Sequence, residues 1–392
     1  MRIVFLIILY LGIWSGLMAQ NSNRSVDKIM LQIPESLTYS TKDIARYINS
    51  QFSTQNEKAR AIFIWIARNI RYDMANMNVA TSELNLVETN FKTLKTRKGV
   101  CTNYAELFND IAGKVGIKSY VVSGYTKQHG VVDILSHAWC IVLIDEKWFM
   151  FDPTWGAGAV LNGRYIKQID EKYYKATPKE FIESHMPFDP LWQLLPYPIT
   201  NQEFYEIQSM VDGKKQYFNF KDSLAVYDHQ SKIDQLISSN NRIEKNGVKN
   251  SLIFDRLQYN RQNLIYYRSK LAEEQLNLAV DLFNNGFAML NKFVEYYNKQ
   301  FIPLKSDAEI QQMIDTVETC FKSAHERLNS IKDPDAEIIS TIKQINKSIE
   351  GATVSFEEMK AFLKKYFNTR KVFRKSLFYK FTHVGVSMNK NQ

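Results

Sequence analysis

Two apolar runs, SHAWCIVLI and KWFMFDPTWG, flank Asp145 and Glu146. From Ser136 to Gly156 this layout favours an antiparallel hairpin, whose two-residue period assigns each side chain to a face. With Asp145-Glu146 at the tip, Leu143 opposes Trp148, Ile141 opposes Met150 and Trp139 opposes Asp152. His137 then shares a face with Trp139 and Asp152, as a diagonal neighbour about 7–8 Å away at the backbone, which leaning side chains can bridge. An odd-numbered loop would reverse this parity. With an even one, a carboxylate stands where it can hold an imidazole's tautomer and orientation. Taken alone, the pair fits equally a strand that begins at His137 and one that ends at Asp152 before Pro153.

A second block, RKGVCTNYAELF, puts Cys101 at the start of a helix expected to bury Tyr104, Phe108, Ile111, Ala112 and Val115 and to stop near Gly116. Gly99 allows a sharp approach. Unpaired N–H groups and the helix dipole stabilise a thiolate at that end, and a nearby histidinium would lower the thiol further. The other reading is a small buried apolar residue. Cys140 has the opposite parity to His137 and Cys320 lies on an apolar helix stripe, so both are assigned to packing. The histidines lack the spacing of a zinc site, and neither a metal nor another cofactor is expected. His185, in SHMPFDP, reads as a loop histidine.

At 392 residues the chain has room for two domains. MRIVFLIILYLGIWSGLMA has the cation, apolar run and small closing residue of a secretory signal peptide, so export to the periplasm or beyond is expected. Thr54 to Glu57 forms a capping box before a helix, and a polar irregular stretch runs from Asp73 to about Lys98. A strand from Lys118 to Tyr125 precedes a loop through Gly130 to Ser136. Prolines keep the segment after the hairpin irregular. Beyond Thr200 the pattern becomes helical. Leu264, Tyr267, Leu271, Leu278, Leu282, Met289, Phe293 and Tyr296 mark one stripe. Capping patterns at Ser306–Glu309, Asp333-Pro334 and Ser355–Glu358 open three more helices of an antiparallel bundle. The boundaries are therefore 1–19 for the signal peptide, 20–53 for an N-terminal segment, 54–200 for an α+β domain and 201–392 for a helical domain.

The formal charge of +9 belongs to the tail, because 359–392 holds nine cations and no acid. Met359, Phe362, Leu363, Tyr366, Phe373, Leu377 and Phe381 line one side of it. Such a tail either lies on an anionic membrane surface or envelope polymer, or is the last bundle helix with solvated cations. Nucleic acid is a poor candidate partner, since no recognition motif appears and export would remove it.

EKARAIFIWIARNIRYD, GVCTNYAELFNDIAGKVGIKSYVVSGY and SHAWCIVLIDEKWFMFDPTWG, in that order, resemble the transglutaminase-like superfamily, of cysteine-protease-like fold. Within it they are similar to an exported bacterial branch related to the kyphoscoliosis peptidase. The resemblance implies an α+β fold: a papain-like core with the cysteine-bearing helix packed on an antiparallel sheet, here followed by an α-helical bundle. It also implies Cys101 as nucleophile, His137 as general base and acid, and Asp152 as orienting carboxylate. Trp139 and Trp155 flank the expected site, and either line a substrate cleft or pack as aromatic core. The chemistry expected is acyl transfer from a peptide or protein substrate, with hydrolysis favoured. The alternatives are transamidation of protein glutamine and a non-catalytic binding or scaffold module. Two positions depart from the family pattern, Asn103 for a small residue and Cys140 for an asparagine.

Overall fold

The protein is described by a computed structural model over residues 23–77, 86–206, 215–332, 334 and 336–379. The expected signal peptide, Asp333, Lys380, Phe381 and Lys390 lie outside the described residues. Two compact units divide after Asn260.

A helical stretch over 23–30 is followed in the first unit by helices α1 (Thr41–Gln51), α2 (Gln55–Asn69), α3 (Leu86–Thr96) and α4 (Cys101–Lys114). The capping box of α2 forms as its sequence requires, with Thr54 and Glu57 exchanging hydrogen bonds. From Ala59 to Ala67 every residue of α2 is buried, Arg60 included. That guanidinium is held by Asp27 and Glu171, each through two hydrogen bonds of 2.6–2.8 Å. Helix α3 falls in the stretch expected to be irregular. Its buried positions include Asn90 and Thr93, so a hydrophobic period never showed in the sequence.

Strands β1 (Ser119–Gln128), β2 (Val131–Ile144), β3 (Lys147–Phe151) and β4 (His185–Pro187) form an antiparallel sheet in the order β3-β2-β1-β4. Leu143 pairs with Trp148 and Ile141 with Met150, the register that the hairpin sequence implies. Asp145 and Glu146 take φ of 47° and 62°, the left-handed pair of a two-residue hairpin turn. The segment from Tyr125 to Ser136, expected as a loop, is instead the far arm of the β1–β2 hairpin, turning at His129 and Gly130. One sheet face places Ala138, Cys140, Val142 and Ile144 in a core with Ala105, Phe108 and Ala112 of α4. Trp139, Ile141 and Met150 pack on the opposite face with Phe181 and Leu191.

The first unit continues beyond the boundary expected near Thr200, through α5 (Phe220–His229), α6 (Lys232–Asn246) and the start of α7 (Ser251–Asn298). The reason is apolar burial. Leu224 joins the cluster of Trp139 and Ile141, while Ile243, Ile253 and Leu257 close over Tyr125, Met186 and Phe204. Arg242 adds a two-pronged bond to Asp189 at 2.7 Å.

The second unit is a helical bundle of α7 beyond Asn260, α8 (Asp307–Ser330) and α9 (Ala336–Asn368). Ser306 and Glu309 form the expected box at the start of α8. The expected cap at Ser355 does not form, and α9 runs through it without a break. Ile349, Ala352, Phe356, Met359, Leu363 and Tyr366 continue one buried stripe at alternating steps of three and four, which outweighs a local capping pattern. In α7 the buried face carries Ala279, Phe283, Leu290, Phe293 and Tyr297, whereas Leu271, Leu278 and Met289 of the expected stripe are exposed. In the expected basic tail, Met359, Phe362, Leu363, Tyr366 and Leu377 are core, and Phe373 is exposed.

Candidate functional site

Cys101 is the first residue of α4, and Val100 is its N-cap. The Val100 N–H donates to Asn103 Oδ1 at 2.8 Å, so the residue that departs from the family pattern here holds the helix start. A Cβ at Gly99 would lie 2.6 Å from Asn103 Cβ, hence the glycine. Burial pushes the Cys101 thiol up, but hydrogen bonds with the His137 side chain and the Ala138 backbone outweigh it and hold the thiol below its ordinary value.

His137 and Asp152 meet as the hairpin parity requires. Nε2 of His137 donates to Asp152 Oδ2 at 2.8 Å. The regular ladder ends at Cys140 and Phe151, and Asp152 turns away to bond its N–H to the Tyr173 carbonyl at 3.0 Å. Its Oδ1 accepts from the N–H groups of Thr154 and Trp155, at 2.8 and 3.1 Å. Burial lowers the His137 imidazole's affinity for a proton, yet the Asp152 carboxylate and then Cys101 lift it to about 10, so the ring is charged at neutral pH.

A third group was not read from the sequence. His185, taken there for a loop histidine, is the first residue of β4 and only 1% exposed; Asp152 is fully buried and His137 is 8% exposed. Ser184 Oγ lies 2.8 Å from His185 Nδ1, and His185 Nε2 lies 3.3 Å from Asp152 Oδ2. Burial depresses the ring to about 4 despite the carboxylate, so at neutral pH it is uncharged, accepting from Ser184 and donating to Asp152. Phe181 stacks on it at 3.9 Å, and Trp155 meets it edge-on at 4.7 Å. The signal available in sequence was only a histidine two residues before Pro187. Its arrival at Asp152 depends on the pairing of Thr126 with His185, between β1 and β4.

This arrangement corrects the expected catalytic reading. Among the described residues, the histidine, cysteine and acidic side chains whose ligating atoms gather within 4.8 Å are His137, Asp152 and His185; Cys101 borders His137 but stands outside the set. The constellation is His–Asp–His in place of the Cys–His–Asp triad of a cysteine peptidase, amidase or acyltransferase. These are also the residues with separations suited to a cation. Their hydrogen bonds show a different use, because both Nε2 atoms direct a proton at one oxygen and a cation would have to displace both.

Trp155 is half-buried with its ring 5.4 Å from His137, whereas Trp139, 1% exposed, belongs to the apolar cluster on that sheet face. Cys140 and Cys320 both pack: the first bonds the Ala105 carbonyl at 3.3 Å, and the second faces Gly286. A cavity of about 360 Å³ lies one residue layer from the cluster, lined by Tyr173, Phe181 and Ser184 among others.

Comparison with known proteins agrees with this fold. A family model described as the transglutaminase-like superfamily matches residues 42–153. The human kyphoscoliosis peptidase is 32% identical over 174 residues, which is 42% of this chain and 25% of that protein. Hillarin of Drosophila melanogaster is 26% identical over 199 residues, 46% of this chain and 24% of that protein. A solved structure described as a TGase is 21% identical, covering 34% of this chain and 36% of that one, with a TM-score of 0.25. The chain thus spans about a quarter of the length of the curated relatives it matches.

Proposed function

We propose that this chain, whose residues 42–153 match the transglutaminase-like superfamily, uses the fold as a non-catalytic binding module. Its partner is a peptide or protein at the cell envelope, reached by export through the N-terminal apolar segment, as in an exported bacterial branch of the superfamily.

One observation carries the reading: the fully buried Asp152 carboxylate is divided between two imidazoles. A carboxylate that serves one ring can orient it for proton transfer. Shared between two imidazoles that Trp155 and Phe181 pack against, it acts as a tie that fixes β2, the turn after β3 and β4 against one another. The comparisons support a module as well, since the matched part is about a quarter of each relative.

Purified protein and its Cys101→Ala variant, offered dimethylcasein with a fluorescent primary amine and a panel of peptide and cell-wall substrates, test this. The expected result is equal, background-level amine incorporation and release from both. A peptide array should give the same binding pattern with either protein. Turnover that disappears in Cys101→Ala would overturn the reading, as would an acyl-enzyme trapped on Cys101.

A further inference from the structure

Sharing no residue with the His–Asp–His cluster, a cavity of about 570 Å³ lies in the first unit. That volume is in the range of small-ligand sites. Its apolar wall is formed by Met30, Ile33, Ile64, Trp65 and Ile169. Its polar lining is cationic: Arg68, Arg97 and Lys167 against the single carboxylate of Glu35, which already accepts from the Tyr39 hydroxyl at 2.8 Å.

Two features of these residues bear on the charge of a ligand. First, no carboxylate pairs with Arg68, Arg97 or Lys167 among the described residues. Lys167 bonds the Arg68 carbonyl, and burial followed by the nearby Arg71 and Arg68 charges pushes its ammonium below the ordinary lysine range. Second, Arg97 is fixed in place: it has the left-handed backbone, φ 56°, of a C-terminal cap after α3, its N–H donating to the Thr93 carbonyl at 2.8 Å. Its guanidinium is held 5.2 Å from the Tyr39 ring and 5.3 Å from the Trp65 ring, and it donates to the Thr38 carbonyl at 3.1 Å.

We propose that this cavity is a binding site for a carboxylate carried on an apolar body, with Arg68, Arg97 and Lys167 receiving the head and Trp65 and the isoleucines receiving the stem. Acceptor oxygens satisfy the cations, which a neutral ligand does not. A fatty acid and the C-terminus of a peptide ending in leucine both present this chemistry.

Isothermal titration of the full chain with dodecanoate, dodecanol, acetyl-Ala-Leu and its C-terminal amide tests the site. An acid should bind at least about tenfold more tightly than its neutral counterpart, since charge-assisted hydrogen bonds are roughly twice as strong as neutral ones. Binding of dodecanoate alone identifies a lipid carboxylate, and binding of acetyl-Ala-Leu alone identifies a chain terminus. Lys167→Met with Arg68→Met should lose about tenfold while keeping the wild-type circular dichroism. Ile169→Trp, which fills the cavity from the apolar side, should abolish binding with both cations intact. Equal affinity for acid and neutral counterpart would overturn the proposal. So would no binding of either acid, or unchanged affinity in both variants.

Discussion

At the residue scale, two histidines within reach of one carboxylate are pushed in opposite directions, and this has consequences for pH. Both start from an ordinary value of 6.5; His185 is depressed to about 4 and His137 raised to about 10. The neutral His185 ring contributes stability that is complete above pH 6.5 and is lost as pH falls through about 4. The charged His137 ring contributes below 6.5 and loses its contribution as pH rises through about 10. On the alkaline side Cys101 opposes His137, because its lowered thiol favours the folded state as pH rises, so the acid limb is the cleaner test. Urea midpoints measured from pH 7 to pH 4 should fall for the wild type and fall much less for His185→Gln, which does not titrate. Equal slopes would mean that His185 is not buried as a neutral donor. Asp152→Ala leaves two buried ring donors without their acceptor and should cost about 3–5 kcal/mol of unfolding free energy.

At the element scale, some features are local in origin and the sequence displays them. The register of β2 on β3 follows from two apolar runs joined by a two-residue turn, and it brings His137 to Asp152. The capping boxes before α2 and α8 are equally local. What failed to show depends on distant partners. Helix α3 buries Asn90 and Thr93, whose polarity hides the period. His185 reaches Asp152 only through a strand pairing fixed far along the chain. Ser355 carries a capping pattern, but the stripe from Ile349 to Tyr366 continues the helix through it. The hairpin tip offers a direct test of local control. Glu146, exposed and at φ 62°, occupies a conformation that costs a side-chain-bearing residue about 1–2 kcal/mol and glycine almost nothing. Asp145 should stay, since its N–H and carboxylate bond Gln55 and Asn56. Glu146→Gly should therefore raise the thermal midpoint, with a gain below about 1 kcal/mol after the glycine's own entropy cost. A lowered midpoint would mean that the Glu146 side chain contributes more than its exposure indicates.

At the scale of the whole molecule, each unit has its own apolar core, and the probes that report them are separable. All six tryptophans precede residue 200, so indole emission reports on the first unit alone. Far-ultraviolet circular dichroism records the helices of both units, so a transition it shows apart from indole emission belongs to the second. Within that second unit, Gly286 marks a close approach of α7 to α8: a Cβ there would lie 2.9 Å from both Cys320 Cβ and the Phe321 ring. Gly286→Val adds two further methyl groups at that contact. Overpacking of this kind costs about 1–3 kcal/mol, more than the helix-propensity gain of replacing glycine returns. The midpoint followed by circular dichroism should move to lower urea, while the tryptophan midpoint stays where it is in the wild type. A common shift of both would show one cooperative transition, and the chain would then have to be treated as a single folding body.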